Sequence, residues 1–346
     1  MRLLVITQKV DANDQVLGFM IGWLEALAKQ AKSLEVICLE KGDYKLPDNV
    51  RVYSLGKEKG QSRLKYLFNF YRFLWQLRHR YDAVWVHMNQ IYIILGYPLW
   101  FLGKKKISLW YAHGSVSFSL RLASKLAGVI FTSSASGFRL ASGKVKIVGQ
   151  GIDTDLFNFE PNAPREAGLM VNVGRLSSVK KQKELIVSLS TINNLPWRLE
   201  FFGSPITLAD QLYTQELAST IAQLNLSDRV TLAGSLNHNL LPSRLRAAEV
   251  FVTMSRTGSL DKAVLEAMSA GVIPVTLGET FRPILPDGAK WLAADDEKTW
   301  VLAVKKVLTL SVDEKESLRR QLSQEIINKH SLTALMEKIV TTLTYV

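Results

Sequence analysis

Hydrophobic positions along the first half of the chain alternate between two arrangements. Short apolar runs rich in β-branched residues, at 3–7, 34–39, 50–54, 83–87, 106–112, 128–132 and 145–148, read as strands. Between them, 17–30, 62–80, 91–102 and 117–126 have helical length or period. Strands apolar at successive positions are covered on both faces, so the alternation predicts a parallel sheet between helices. Across 158–168 the pattern pauses, with Pro161 and Pro164 among polar residues, and this stretch reads as a domain linker. It then restarts, with strands at 169–173, 198–203, 230–234, 250–254 and 273–276 and helices at 183–191, 208–224, 240–248 and 262–270. The fold class predicted is α/β, two doubly wound domains in tandem, 1–160 and 161–327, with a closing helix at about 328–346 packing back on the first. Each domain is expected to bind ligands at the carboxyl ends of its strands.

Two stretches test that picture against a membrane or secreted protein. Residues 83–103 carry no Asp, Glu, Lys or Arg and approach the roughly 20 residues a bilayer span needs. His87, Asn89, Gln90 and Gly96-Tyr97-Pro98 interrupt them, so a strand followed by a buried helix is the preferred reading over a span. The apolar run at the start is too short for a signal peptide. One cysteine, Cys38, excludes an intramolecular disulfide and a CxxC zinc site, and fits a cytoplasmic protein.

Charge changes the picture more than composition does. The 346 residues are 47% hydrophobic and 21% charged, an ordinary globular balance, but the net charge is +12. Residues 1–165 hold 23 basic and 12 acidic residues and the remainder 20 and 19, so only the first half faces an anionic partner. Its clearest feature is 63–80, RLKYLFNFYRFLWQLRHR. At helical spacing Leu64, Leu67, Phe68, Tyr71, Leu74 and Trp75 form one stripe and Lys65, Asn69, Arg72, Gln76 and His79 another, with Phe70, Phe73 and Leu77 widening the apolar face. Two readings fit equally: a basic amphipathic helix on an anionic membrane surface, and a core-packed helix with solvated cations. Nucleic acid is not expected as a partner, since no binding motif accompanies the charge.

The chemistry is narrowed by what is missing. There is no GxGxxG after the first strand, no GxxxxGK[ST] and no HExxH. In Val173-Gly174-Arg175-Leu176-Ser177-Ser178-Val179-Lys180 a strand ends in glycine and presents two cations before a helix, an arrangement suited to a diphosphate and to stabilising a leaving nucleotide without a metal. Alone, it fits solvated loop cations as well. In 257–268 small polar residues lead into a helix containing Glu266 among apolar neighbours, and a buried carboxylate there needs a partner, which a ribose diol would supply. An exposed helix glutamate is the competing reading.

The segments VGQGIDTDLF (148–157), VGRLSSVKK (173–181) and LDKAVLEAMSAGVIPV (260–275), in this order and spacing, resemble the family 4 (group 1) retaining glycosyltransferases of GT-B fold. YAHGS (111–115), RVTLAGSL (229–236) and the closing HSLTALMEKI extend the likeness over most of the chain. The resemblance implies two Rossmann-like domains with an interdomain cleft and a hexosyl or related transferase that needs no metal or other cofactor. It further implies a nucleotide-diphosphate sugar as donor and a glycan or lipid-linked acceptor, as in cell-surface polysaccharide or glycolipid synthesis. Arg175 and Lys180 match the pair that holds the donor diphosphate, Glu266 the residue that binds the ribose, and His113 the histidine on the cleft floor near the transferred sugar.

One departure stands out. Eight positions before Glu266, where the family often has a second glutamate followed by Gly-Phe-Gly, this chain has Gly258 followed by Ser259-Leu260-Asp261. Asp261 could supply the carboxylate toward the donor sugar, or the amides of Ser259 and Leu260 could suffice. After the first strand a longer polar loop, 9–18, replaces the family's glycine pair. There Gly18 could open the following helix near acceptor and phosphate, and Asp14 could bind an acceptor hydroxyl or act as a helix N-cap. Besides the transferase, two other classes are expected to compete: a non-catalytic sugar-nucleotide-binding subunit of a glycan-assembly complex, prompted by Gly258, and a membrane scaffold using only the basic helix. The expected location is cytoplasmic, with peripheral attachment at the inner face of the plasma membrane as the variant the basic helix would add.

Overall fold

The computed structural model describes residues 1–346 except Gln15, Asn239, Thr257, Ser259 and Val346. The chain divides into two compact units, Met1–Gly151 with His330–Val346, and Ile152–Lys329.

In the first unit seven strands form one sheet: β1 (Arg2–Val10), β2 (Ser33–Lys41), β3 (Val50–Ser54), β4 (Ala83–His87), β5 (Lys106–Trp110), β6 (Val129–Thr132) and β7 (Val145–Ile147). Their order is β3-β2-β1-β4-β5-β6-β7, and every neighbouring pair is parallel. Alternation along β1 sends Leu3 and Val5 to one face, with Trp23, Trp85 and Trp110, and Leu4 and Ile6 to the other, with Phe70, Leu74 and Trp100. The first face is covered by α1 (Met20–Gln30), the second by α2 (Arg63–Leu77), α3 (Ile91–Leu102) and α4 (Phe118–Leu126). The direction of winding reverses between β1 and β4, which sets the loops after β1, β4 and β5 around the switch point.

The second unit repeats the plan with β8 (Leu169–Val173), β9 (Arg198–Phe202), β10 (Val230–Gly234), β11 (Val250–Val252), β12 (Ile273–Leu277) and the two-residue β13 (Ala293–Ala294), ordered β10-β9-β8-β11-β12-β13 and all parallel. Its helices are α5 (Gln182–Ser190), α6 (Leu208–Gln223), α7 (Leu241–Ala247), α8 (Lys262–Ser269), α9 (Glu297–Thr309) and α10 (Val312–His330). The last, α11 (Leu332–Tyr345), belongs to the first unit, where Leu335, Met336, Ile339 and Leu343 are buried with α1.

Three sequence expectations change. Residues 158–168 do not form a free linker: the chain divides at Gly151, and this stretch is docked on the second unit. Arg165 donates from Nη1 to the carbonyl of Ala248 (2.9 Å) and from Nη2 to that of Ala270 (2.9 Å), and burial lowers its guanidinium to about 10. A polar stretch without period can still be held by its side chains on other elements' free carbonyls. The helix after β4 is buried on one face only, through Ile93, Gly96 and Trp100, while Phe101 and Leu102 are exposed. Among the described residues no helix is long and apolar enough to cross a membrane. Finally, α2 turns Phe70, Leu74 and Leu77 inward with Asn69, whose amide donates to the carbonyl of Leu55 (3.0 Å) and to Gln61 Oε1 (3.1 Å). The stripe Leu64, Leu67, Phe68, Tyr71 and Trp75 faces solvent instead.

Candidate functional site

At the carboxyl edge of the second sheet, β8 runs out at Val173 and the backbone turns sharply at Gly174, whose N–H donates to the carbonyl of Phe202 (2.9 Å). Gly203, just past β9 with φ +159°, packs so tightly here that a Cβ would lie 1.9 Å from the Gly174 oxygen. Gly203→Ala is therefore expected to cost about 2 kcal/mol through backbone strain and to displace the 174–177 turn. Urea unfolding reads this directly, and an unchanged midpoint would show that the contact is not tight.

Buried Gln182, the first residue of α5, clamps the same turn. Its amide donates to the Arg175 carbonyl (2.9 Å) and its oxygen accepts from the Ser177 N–H (3.4 Å). The Arg175 backbone is thereby fixed, while its side chain stays 41% exposed beside Asp210 at 4.0 Å. Lys180 lies next to Gly174 and forms an ion pair with Asp261. Asp261 has a second duty as the N-cap of α8, its other oxygen accepting from the Ala263 N–H (3.3 Å). The turn after β8 and the amino end of α8 thus meet through Lys180 and Asp261, which places Arg175 and Lys180 beside the positive end of a helix.

Glu266 sits one turn into α8 and is only 4% exposed. Its partners are His238 Nε2, in the loop after β10, at 3.1 Å and Lys262 Nζ at 3.5 Å. Burial pushes the Lys262 ammonium below its usual range, against the opposing pull of Glu266. His238 also meets Phe157 edge to face, 5.3 Å between ring centres. The sequence reading gave Glu266 a need for a partner but named neither residue. Lys262 was legible as an i, i+4 neighbour; His238, 28 residues away, was not. Gln182 was missed as well, because a glutamine opening a helix carries no local signal of its contacts.

The departure at position 258 coincides with a left-handed backbone. Gly258 has φ +74°, a conformation in which a glutamate would be strained. Leu260 is buried, and Ser259 lies outside the described residues.

In the first unit His113 follows β5 and is exposed. Its Nδ1 accepts from the Ser115 N–H at 3.1 Å and lies 2.9 Å from the Ser115 hydroxyl, which leaves Nε2 to carry the proton of the neutral ring and to donate. Asp14 does not cap α1, whose N-cap position is Phe19 with no side-chain cap bond; it holds the turn before that helix, one oxygen accepting from Val16 (2.9 Å) and Leu17 (2.7 Å) and the other pairing with Lys9 (2.9 Å). Lys9 also reaches Asp11 and Glu40, and these carboxylates raise its ammonium well above the ordinary range despite burial. Gly18 closes this turn, its N–H donating to the Asp14 carbonyl (2.9 Å). Among the described residues no group of three or more His, Cys, Asp or Glu could hold a metal ion.

Two doubly wound parallel units in tandem are the architecture of the GT-B class of α/β folds, which the solved structures below share. The model for glycosyl transferases group 1 matches residues 153–328, half of the chain, and the protein belongs to that family. A 155-residue stretch, 43% of this chain, is 29% identical to the GDP-mannose:cellobiosyl-diphosphopolyprenol alpha-mannosyltransferase of Xanthomonas oryzae pv. oryzae. That match spans 40% of the mannosyltransferase's length. Among solved structures, Anabaena HepE in complex with UDP and glucose superposes with a TM-score of 0.78 over 100% of both chains at 17% identity. Sucrose-phosphate synthase from Thermosynechococcus elongatus gives 0.79 over 99% of this chain and 98% of its own at 15% identity. At these identities the likeness concerns the fold.

Proposed function

We propose that this protein is a family 4 glycosyltransferase that moves a sugar from a nucleotide-diphosphate donor to a glycan or lipid-linked acceptor with retention of anomeric configuration. The observation that carries this reading is the meeting of the Arg175–Lys180 turn with the amino end of α8 through Asp261, beside buried Glu266. Arg175 and Lys180 grip the diphosphate and stabilise the charge that grows on it as the glycosidic bond breaks. The sugar passes through an oxocarbenium-like state, and the acceptor hydroxyl attacks the face the phosphate leaves, giving its proton to the departing phosphate oxygen as the new glycosidic bond forms. Glu266 accepts from the ribose hydroxyls, held in place by Lys262 and His238. The amide of Leu260 and the glycine at 258 take the place of the usual second glutamate, with Asp261 committed to Lys180. His113 donates from Nε2 to a substrate hydroxyl. Asp14 and Gly18 shape the loop after β1 on the acceptor side. Two fixed cations do the work of a divalent ion in this scheme, so turnover is expected to survive millimolar chelator.

The mannosyltransferase relative acts on a diphosphopolyprenol-linked sugar, and HepE was crystallised with UDP and glucose; together they point to lipid-linked acceptors and to GDP- and UDP-sugars as the first donors to try. The test is thermal unfolding with UDP-, GDP- and ADP-sugars. A true donor at about 100 times its Kd adds roughly 2.7 kcal/mol to stability. If none raises the unfolding temperature, the donor assignment fails; protection without transfer or hydrolysis would make the protein a sugar-nucleotide-binding subunit.

A further inference from the structure

The outward face of α2 carries a run of exposed apolar side chains. Leu64, Phe68, Tyr71 and Trp75 follow one another at helical spacing and are 80%, 60%, 38% and 61% exposed, although the opposite face of the same helix already fills the core. A helix with one core face needs no second apolar stripe, and a contiguous exposed one marks an interaction surface. The flanking charges have one sign. Lys65 lies over the Phe68 ring (5.1 Å to its centre), and Arg78 lies over Trp75 (4.2 Å). Between Arg51 and Arg80 eight basic residues accompany a single carboxylate, Glu58, whose oxygen is engaged by the Ser54 hydroxyl and the Lys41 N–H. From Ala83 to Ile152 eight more accompany none. Tyr71 is held to α3 by its hydroxyl, which donates to the Leu95 carbonyl (3.0 Å), and α3 itself ends on exposed Phe101 and Leu102 followed by Lys104.

We propose that this face is a docking surface for an anionic lipid bilayer, with α2 lying in the interface plane. Lipid fits better than a protein partner because lysine and other charges are depleted at the centre of protein interfaces. Here the charged ends of Lys65 and Arg78 lie over the rings of the stripe itself, so cation and aromatic ring sit together as they do at the headgroup level of a bilayer, with Trp, Tyr and Leu at the acyl boundary. Since α2 leaves β3 at the carboxyl end of a parallel sheet, the stripe starts at the edge where that unit is expected to bind ligands, bringing a lipid-linked substrate's headgroup level with it. The proposal goes beyond the transfer reading, because a chain that bound no donor would still carry this face.

The experiment is flotation of the full chain with vesicles of phosphatidylcholine alone or with 30% phosphatidylglycerol in roughly physiological salt, followed by Phe68→Ser/Trp75→Ser and Lys65→Glu/Arg72→Glu. Wild type is expected to float with the anionic vesicles and only weakly with the neutral ones. Removing the two rings should weaken binding at least tenfold. Reversing two charges should weaken it by more, since each basic residue near an anionic surface contributes about fivefold. Unfolding temperature and donor protection should stay as in wild type, which separates loss of the surface from loss of the fold or of the donor site. The proposal is overturned if wild type ignores anionic vesicles or if Phe68→Ser/Trp75→Ser floats as wild type does. It is equally overturned if wild type elutes as a dimer that the same pair of substitutions disperses, which would assign the face to a second copy.

Discussion

Arg175→Ala and Lys180→Ala are each expected to lower kcat by about 10²- to 10³-fold, the loss that follows when one preorganised donor to developing negative charge is removed. The two should differ in KM. The Arg175 turn is fixed by Gln182 through backbone groups, and its guanidinium contributes little to the fold, so its loss leaves the turn in place. Its charge holds the bound diphosphate but counts for more as the phosphate leaves, so its loss should show mainly as a fall in kcat with a smaller rise in KM. Lys180 is already paired with Asp261, so Lys180→Ala also leaves a carboxylate uncompensated beside the diphosphate, and KM should rise further as kcat falls. Adding Asp261→Asn to Lys180→Ala should restore KM but not kcat. Arg175→Lys should recover only part of the activity, because an ammonium lacks the planar fork that matches two phosphate oxygens. Initial rates with the donor identified by thermal protection decide the matter; a kcat within threefold of wild type in both single variants would remove the cation pair from the reaction.

The parallel sheets were legible in the sequence because their strands are buried on both faces and therefore read as continuous apolar runs, as in Leu3–Ile6 and Ala83–Val86. Helix α2 was legible as an element but not in orientation. Apolar residues occupy more than half its circumference, and periodicity does not tell which of two apolar arcs the sheet takes: it took Phe70, Leu74 and Leu77. In the second unit the stretch after 276 had yielded no elements, and it holds β13, α9 and α10. β13 is two alanines, too short to show a period, and α10 (VDEKESLRRQLSQEIINKH) is dominated by charged and polar residues. At the candidate site the local pieces were readable, namely two cations after a strand and a carboxylate in an apolar helix. What joins them was not: Lys180 meets Asp261 across 81 residues and Glu266 meets His238 across 28, contacts that the three-dimensional sheet order alone creates.

Glu266→Leu is expected to destabilise the second unit by about 3 kcal/mol, the lower end of the range for breaking a buried ion pair, since the Lys262 side chain keeps 18% exposure. The loss comes from the lysine left behind rather than from missing packing, and pH separates the two. Burial already holds the Lys262 ammonium below its usual value, and without Glu266 the shift downward grows. Between that lowered value and the ordinary 10.5, the unfolded chain then binds more protons than the folded one, so stability of the variant should climb as pH rises through this window. At neutral pH, below the window, the full penalty of keeping Lys262 charged without Glu266 remains. A packing defect would give the same deficit at every pH. Lys262→Met/Glu266→Leu removes both charges and should recover most of the stability, as apolar replacements of buried pairs commonly do. It should nonetheless show no protection by a sugar nucleotide, because no carboxylate remains for the ribose. Urea unfolding between pH 7 and 10, with and without donor, measures all of this on one set of samples. A double variant that folds and is still protected would take Glu266 out of donor recognition, whereas one that folds without protection isolates ribose binding as the function of a carboxylate the fold can do without.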